Sequence, residues 1–303
     1  MAVTAAMVKE LRERTGSGML DCKNVLTETD GDIEKSIDIL REKGLAKAAK
    51  KAGRIAAEGL VRIRISEDGK QAAIIEVNSE TDFVAKNQEF IDFVDKLSEL
   101  SLASEKTGND EFLAEKFEET LTIGERLTEF VAKIGENINI RRFEKHGKSD
   151  VVYVGYLHGG GKIGVLVGLE TAASVSEVSE VGKDVAMQIA SMNPLFIDET
   201  QVDPDYIEKE KEILMQQAMN EGKPAEIVEK MVVGRLKKEL KETCLLEQKF
   251  VKNGELTVAQ YIKDVASNIG KDIKVVTMIR YEVGEGIEKK QEDFAEEVAK
   301  QLN

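Results

Sequence analysis

Apolar positions recur along the first part of the chain with a helical period. Met7, Val8 and Leu11 share one face, and Thr15-Gly16 with Gly18 ends that helix. Met19, Val25 and Leu26 mark a second short helix. Ile33, Ile37 and Leu40 fall at i, i+4 and i+7 of a third, with Asp30 as its candidate cap. Lys43 to Arg54 carries basic residues among alanines and two glycines, and reads as a solvated, partly helical linker.

The period then shortens. Gly59 to Ile65, a turn centred on Gly69, and Ala72 to Val77 form a hairpin pattern, followed by a helix predicted from about Asp82 to Leu100 with Phe90, Phe93, Leu97 and Leu100 on one face. The pattern repeats. Val151 to Leu157, a turn at Gly159-Gly160-Gly161, and Ile163 to Leu169 form a second hairpin, leading to a helix with Val185, Ile189 and Met192 in phase. Similar strands close each half, Ile134 to Arg142 in the first and Ile269 to Val276 with Ile279 to Tyr281 in the second. An α+β architecture follows: a three-helix N-terminal region, then two repeated subdomains of antiparallel sheet backed by helices.

Domains are expected at 1–54, 55–145 and 146–286, with a helical module at 287–303 in which Phe294 and Val298 share a face. The third contains a helical-hairpin insertion at about 203–240. Its helices, Pro204 to about Ala218 and Pro224 to about Leu240, are separated by Gly222, and Ile227, Met231, Val232, Leu236 and Leu240 form a stripe. That stripe is too narrow for a core of its own, so a projecting arm or a dimerisation element is expected.

Length and charge narrow the function classes. A chain of 303 residues with 42% apolar content buries sizeable cores and is not disordered. Its 57 acidic and 43 basic residues give a formal charge of −14, which opposes nonspecific nucleic-acid binding because that requires a cationic surface. Cys22 and Cys244 lie far apart without metal-ligand spacing, the opening residues lack a signal-peptide pattern, and no apolar run reaches the ~20 residues of a membrane span. A soluble, cytoplasmic protein is the expectation, with no cofactor.

Candidate chemistry is sparse. His146 and His158 read as turn or loop residues, His158 at the tip of the second hairpin and therefore an exposed contact candidate. Gly155 to Lys162 resembles a phosphate loop only superficially: Tyr156 replaces the leading glycine, and Ile163 stands where Ser or Thr would hold magnesium. The informative stretch is Asn78 to Asn87, which puts Phe83 between polar residues at a strand-to-helix junction. On one reading Ser79 or Thr81 caps the helix and Phe83 turns inward. On the other, Phe83 projects with Asp82 beside it as a wedge for a partner. Met19 and Leu20, directly after a glycine-containing loop, are likewise either core or contact.

Asn78 to Asn87 resembles the signature of the bacterial elongation factor Ts family, nucleotide exchange factors for the GTPase elongation factor Tu. Val8 to Gly16 running on to Lys23, Lys133 to Arg142, and Ile279 to Lys289 are similar to that family in the same order. The opening helices resemble a ubiquitin-associated domain. The resemblance implies a protein without covalent chemistry of its own, whose partner is elongation factor Tu in its GDP-bound and nucleotide-free states. By the same resemblance Thr81, Asp82, Phe83 and Val84 would enter the GTPase near its magnesium, and Arg12, Met19 and Leu20 would grip another face of that domain. His158 would meet a different domain, and the C-terminal helix would add a further grip. Leu20 replaces a methionine found in some relatives, a volume-conserving change. A non-catalytic scaffold using the three-helix domain and the arm is the alternative. A hydrolase using unrecognised carboxylates is a third class, for which no residue pair stands out.

Overall fold

The computed structural model describes residues 3–222 and 225–288. The predicted C-terminal helix with Phe294 and Val298 lies outside them, as does the side chain of Ile227. The fold is α+β, and the described residues form two compact units: 3–62, 75–144 and 282–288 make the first, those within 63–74 and 145–281 the second.

In the first unit, α1 (Ala5–Thr15), α2 (Met19–Glu28) and α3 (Ile33–Ala49) enclose a small core of Leu11, Cys22, Val25, Leu26 and Leu40. The cap of α3 is Asp32, whose carboxylate accepts from the Lys35 amide at 3.0 Å. Asp30 instead takes a left-handed turn conformation, with φ 55°. The basic stretch, expected as a solvated, partly helical linker, is helical as far as Ala49 and tied to its neighbours. α3 runs on to Ala49, Lys47 pairs with Asp21 at 2.9 Å, and the Lys51 ammonium donates to the Gly135 carbonyl.

Strands β1 (Glu58–Ile65), β2 (Gln71–Ser79) and β3 (Asn139–Gly147) form a sheet in that order. Between β2 and β3 lie α4 (Asp82–Ala85), α5 (Gln88–Ala103), α6 (Asn109–Leu113) and α7 (Ile123–Ile134). Phe90, Phe93, Phe112, Phe117, Phe130 and Phe143 cluster in the core, with Phe93 and Phe130 stacked at 4.5 Å. Glu76 on β2 is fully buried, and it accepts from Arg141 at 3.1 Å, Arg142 at 2.7 Å and the Gly284 amide at 2.9 Å. A buried carboxylate without such partners would cost several kcal/mol, so these bonds fix the Gly284 turn.

The second unit repeats the plan. β4 (Val151–His158) pairs antiparallel with β5 (Ile163–Glu170), and β8 (Lys274–Glu282) completes the sheet in the order β4-β5-β8. α8 (Val175–Met192) packs on it around Val185 and Ile189, with α11 (Val258–Ile269) adding Val258 and Ile262. Met192 is in phase but half-exposed at the helix end. Between α8 and the short ribbon β6 (Lys249–Phe250) and β7 (Asn253–Thr257) lies the helical hairpin, α9 (Pro204–Asn220) and α10 (Ala225–Thr243). It does close a small core, of Leu214, Ala218, Val228, Val232 and Leu236.

The closing segments correct the sequence pattern. Ile134 and Ile269 are not strand residues but the last residues of α7 and α11, each 12 residues long and begun by a capping box at Thr122 and Thr257. Gly135 and Gly270 end the helices in the left-handed region, at φ 88° and 68°, where a side chain would be strained. Alternating isoleucines around the glycine mimicked a strand. The true strands, β3 and β8, begin four residues later.

In the second unit the turn after α11 holds the start of α8. Lys271 donates to the Glu177 carboxylate at 2.8 Å, and that carboxylate also accepts from the Ser174 amide at 2.7 Å. The Lys271 bond, then the Ser174 bonds, pull the Glu177 carboxyl down from 4.5 to about 2. A group with a depressed folded pKa stabilises above its unfolded pKa and loses that contribution as protonation sets in. Between pH about 4.5 and about 2 the stability gap between the wild type and Glu177→Gln should therefore narrow, and above that window it should be constant. Melts across the range check this; a gap independent of pH would contradict the assignment.

Candidate functional site

At the strand-to-helix junction the helix is capped, but Phe83 does not turn inward. Thr81 is the N-cap, its Oγ1 accepting from the Val84 amide at 3.3 Å, and α4 lasts only four residues. Within so short a helix, Ala85 is buried and Val84 packs against the core, so the face about 100° away carries Phe83 outward. Phe83 is 81% exposed. Asp82, in the first turn, binds Lys86 one turn on at 2.6 Å, and this pairing raises the Lys86 pKa.

The predicted single helix is broken here. Asn87 starts α5 afresh, its side chain accepting from the Glu89 amide at 2.8 Å. The break lets α5 bury Phe90 and Phe93 while Phe83 points away from the same core. A continuous helix would have fixed the two faces in one phase.

The junction is held by a segment 55 residues further along the chain. The Glu136 carboxylate accepts from the Thr81 amide at 3.0 Å and from the Thr81 hydroxyl at 2.6 Å. In return the Glu80 carboxylate accepts from the Asn137 amide at 2.5 Å. Asn137 is buried and donates its carboxamide to the Arg54 carbonyl at 2.7 Å. Glu80 and Glu136 were not singled out from sequence. The one available signal is that the residue after each helix-ending glycine, Glu136 or Lys271, occupies the same place in both repeats.

Met19 and Leu20 open α2 and are 62% and 70% exposed, so neither belongs to the three-helix core. Gly18 supplies the N-cap position without a side chain. Arg12 is exposed on α1 and borders a groove of about 970 Å³ shared with Gly16, Lys47 and Lys133. These residues and the Phe83 junction all belong to the first unit.

His158 belongs to the second unit. It is the last residue of β4, exposed, with its Nδ1 3.0 Å from the Tyr156 hydroxyl. The glycines after it close the hairpin through amides of Gly161 and Lys162 to the His158 carbonyl. His146 lies within β3 and not in a loop. Both cysteines are buried free thiols, their pKa values raised by burial. Among the described residues no group of His, Cys, Asp and Glu could hold a metal, and no helix is long and apolar enough to cross a membrane.

Comparison with known proteins adds a family context. The family model described as elongation factor TS matches residues 80–285. The elongation factor Ts of Clostridioides difficile (strain 630) is 59% identical over 300 residues, 99% of each chain. That of Clostridium botulinum (strain Eklund 17B / Type B) is 56% identical over 300 residues, again 99% of each. That of Clostridium perfringens (strain 13 / Type A) is 54% identical over 298 residues, 98% of each.

Exposure makes a direct prediction for stability. Phe83→Ala should change folding free energy by less than ~0.5 kcal/mol, as for an ordinary surface position. Thr81→Ala, which removes the cap, should cost ~1 kcal/mol. Met19→Ala with Leu20→Ala should leave helicity unchanged. Chemical denaturation with circular dichroism measures all of these; a Phe83→Ala cost of ~3–5 kcal/mol, typical of a buried aromatic, would contradict the outward placement.

Proposed function

The chain belongs to the elongation factor Ts family, and from that premise we propose that it binds elongation factor Tu·GDP and promotes GDP release, so that GTP can rebind. The observation that carries the reading is the 81% exposure of Phe83 on a capped, anchored helix. An apolar ring held in water gains by burial in a partner, roughly 1.5–3 kcal/mol for a full phenyl. Asp82 and Phe83 enter near the nucleotide and its magnesium, and displacing the ion removes charge neutralisation from the phosphates.

Exchange is a linkage effect. A factor that binds the empty GTPase more tightly than the occupied one must be expelled by nucleotide with the same free energy. Accelerating release ~10³-fold requires about 4 kcal/mol, more than one ring supplies. Additional contacts are therefore part of the reading: Thr81 and Val84 beside the wedge, and Arg12, Met19 and Leu20 on the opening helices. His158 provides a separate contact from the second unit. The chain itself supplies surface and no covalent chemistry.

The hairpin α9–α10 supports a second reading, self-association. Its own core is closed, yet Met215, Met219 and Val233 stay exposed on it.

Stopped-flow release of fluorescent GDP from purified elongation factor Tu tests the proposal. Wild-type chain should accelerate release, and Phe83→Ala should reduce the stimulation ~10-fold or more, the value of one lost phenyl burial. Met19→Ala with Leu20→Ala should weaken association mainly through a faster off-rate. A folded Phe83→Ala variant that stimulates release at the wild-type rate would remove the wedge from the mechanism.

A further inference from the structure

We infer that Glu136 is a positioning residue for the exchange reaction: by holding Thr81 through two hydrogen bonds it fixes the direction in which Phe83 projects. The inference rests on the wedge reading above. A four-residue helix has little rigidity of its own, since its few backbone bonds barely repay the ordering of the chain. Two such bonds span four residues here, from Ala85 to Thr81 and from Lys86 to Asp82, at 3.3 and 3.1 Å. The orientation of the ring must therefore come from outside the helix.

Glu136 supplies it at the helix start. Its two carboxylate oxygens engage one residue, taking the Thr81 amide at 3.0 Å and the hydroxyl at 2.6 Å. The same hydroxyl caps Val84, so the bond to Glu136 orients the cap itself. The carboxylate is in turn fixed by its backbone. Gly135 closes α7, Lys51 binds the Gly135 carbonyl, and the Asn137 amide is locked to Glu80 at 2.5 Å. The chain thus crosses itself twice at adjacent residues, Glu80 to Asn137 and Thr81 to Glu136.

The second repeat contains the internal comparison. Lys271 takes the place of Glu136 after the helix-ending glycine, and it too ties down a strand-to-helix junction, through Glu177 at the start of α8. That junction leads into an 18-residue helix rather than a four-residue one. Loss of the Lys271 tie should loosen structure without redirecting any wedge, whereas loss of the Glu136 tie should misdirect Phe83.

The test uses full-length chain and stopped-flow release of fluorescent GDP from elongation factor Tu across factor concentrations, with thermal melts alongside. Glu136→Ala should lower the maximal stimulated rate ~10-fold, as removal of the ring itself does, since misplacing a contact by about an ångström can cost up to ~10²-fold, while Glu136→Gln, which can still meet both Thr81 groups, should stay within ~3-fold of wild type. In a Phe83→Ala background Glu136→Ala should have less than ~2-fold further effect, because the two act as one unit. Lys271→Ala should leave the maximal rate unchanged. The inference is overturned if Glu136→Ala stimulates like wild type, if its effect persists without Phe83, or if Lys271→Ala slows release equally. Should Glu136→Ala fail to fold, Thr81→Val, which removes the hydroxyl that Glu136 holds, decides: a folded variant with the wild-type maximal rate overturns the inference. Phe83→Ala alone reports on the wedge reading separately, since its failure to slow release would sink that reading whatever Glu136 does.

Discussion

An apolar ring kept in water has no packing to orient it, so its direction must be imposed through the backbone that carries it. In this chain that constraint is met by the crossing of two short segments, Glu80-Thr81 and Glu136-Asn137. Each contributes a carboxylate, and each carboxylate binds a backbone amide of the other segment. Charge-assisted bonds to backbone donors are among the stronger hydrogen bonds available to a protein, which suits a site with little apolar burial. Much of the first unit serves this crossing. α7 ends at Gly135 to deliver Glu136, β2 runs out at Ser79 to deliver Glu80, and Arg54 and Lys51 of the opening segment close it from a third side.

The same economy explains why an exposed ring coexists with a well-packed core. Breaking the helix at Asn87 frees α4 from the phase of α5. The phenylalanine cluster can then fill the interior from α5, α6, α7 and β3 while one phenylalanine is left out. Had the helix run unbroken from Asp82, the direction of Phe83 would have been tied to the burial of Phe90. Exposure at Met19 and Leu20 follows a related rule, with Gly18 giving α2 a start that leaves its first residues facing away from Leu11, Val25 and Leu26.

What the sequence made legible was local. Periodicity located the two hairpins, the buried face of α5 and the helical arm, because each pattern is written in consecutive residues. Phe83 was visible as an anomaly through its polar neighbours, and the geometry excludes the inward placement: Thr81 caps the helix and Phe83 still points out. The misreadings came from local patterns with two solutions. Ile134, Ile138 and Ile140 alternate like a strand, yet Ile134 completes the helical face of Leu127 and Phe130, and only the left-handed backbone at Gly135 separates the two. Glu136 was illegible for a different reason. Its partner lies 55 residues away, and one carboxylate among 57 acidic side chains carries no signal of its own.

The ring of Phe83 is already presented to solvent in the free chain and, under the proposed function, becomes buried in the complex. The direct measurement is ¹⁹F NMR of the full chain with 4-fluorophenylalanine at Phe83, comparing broadening by a soluble paramagnetic agent before and after nucleotide-free elongation factor Tu is added. Strong broadening in the free chain and protection in the complex are expected. A resonance protected in the free chain, or equally exposed in both states, would contradict it.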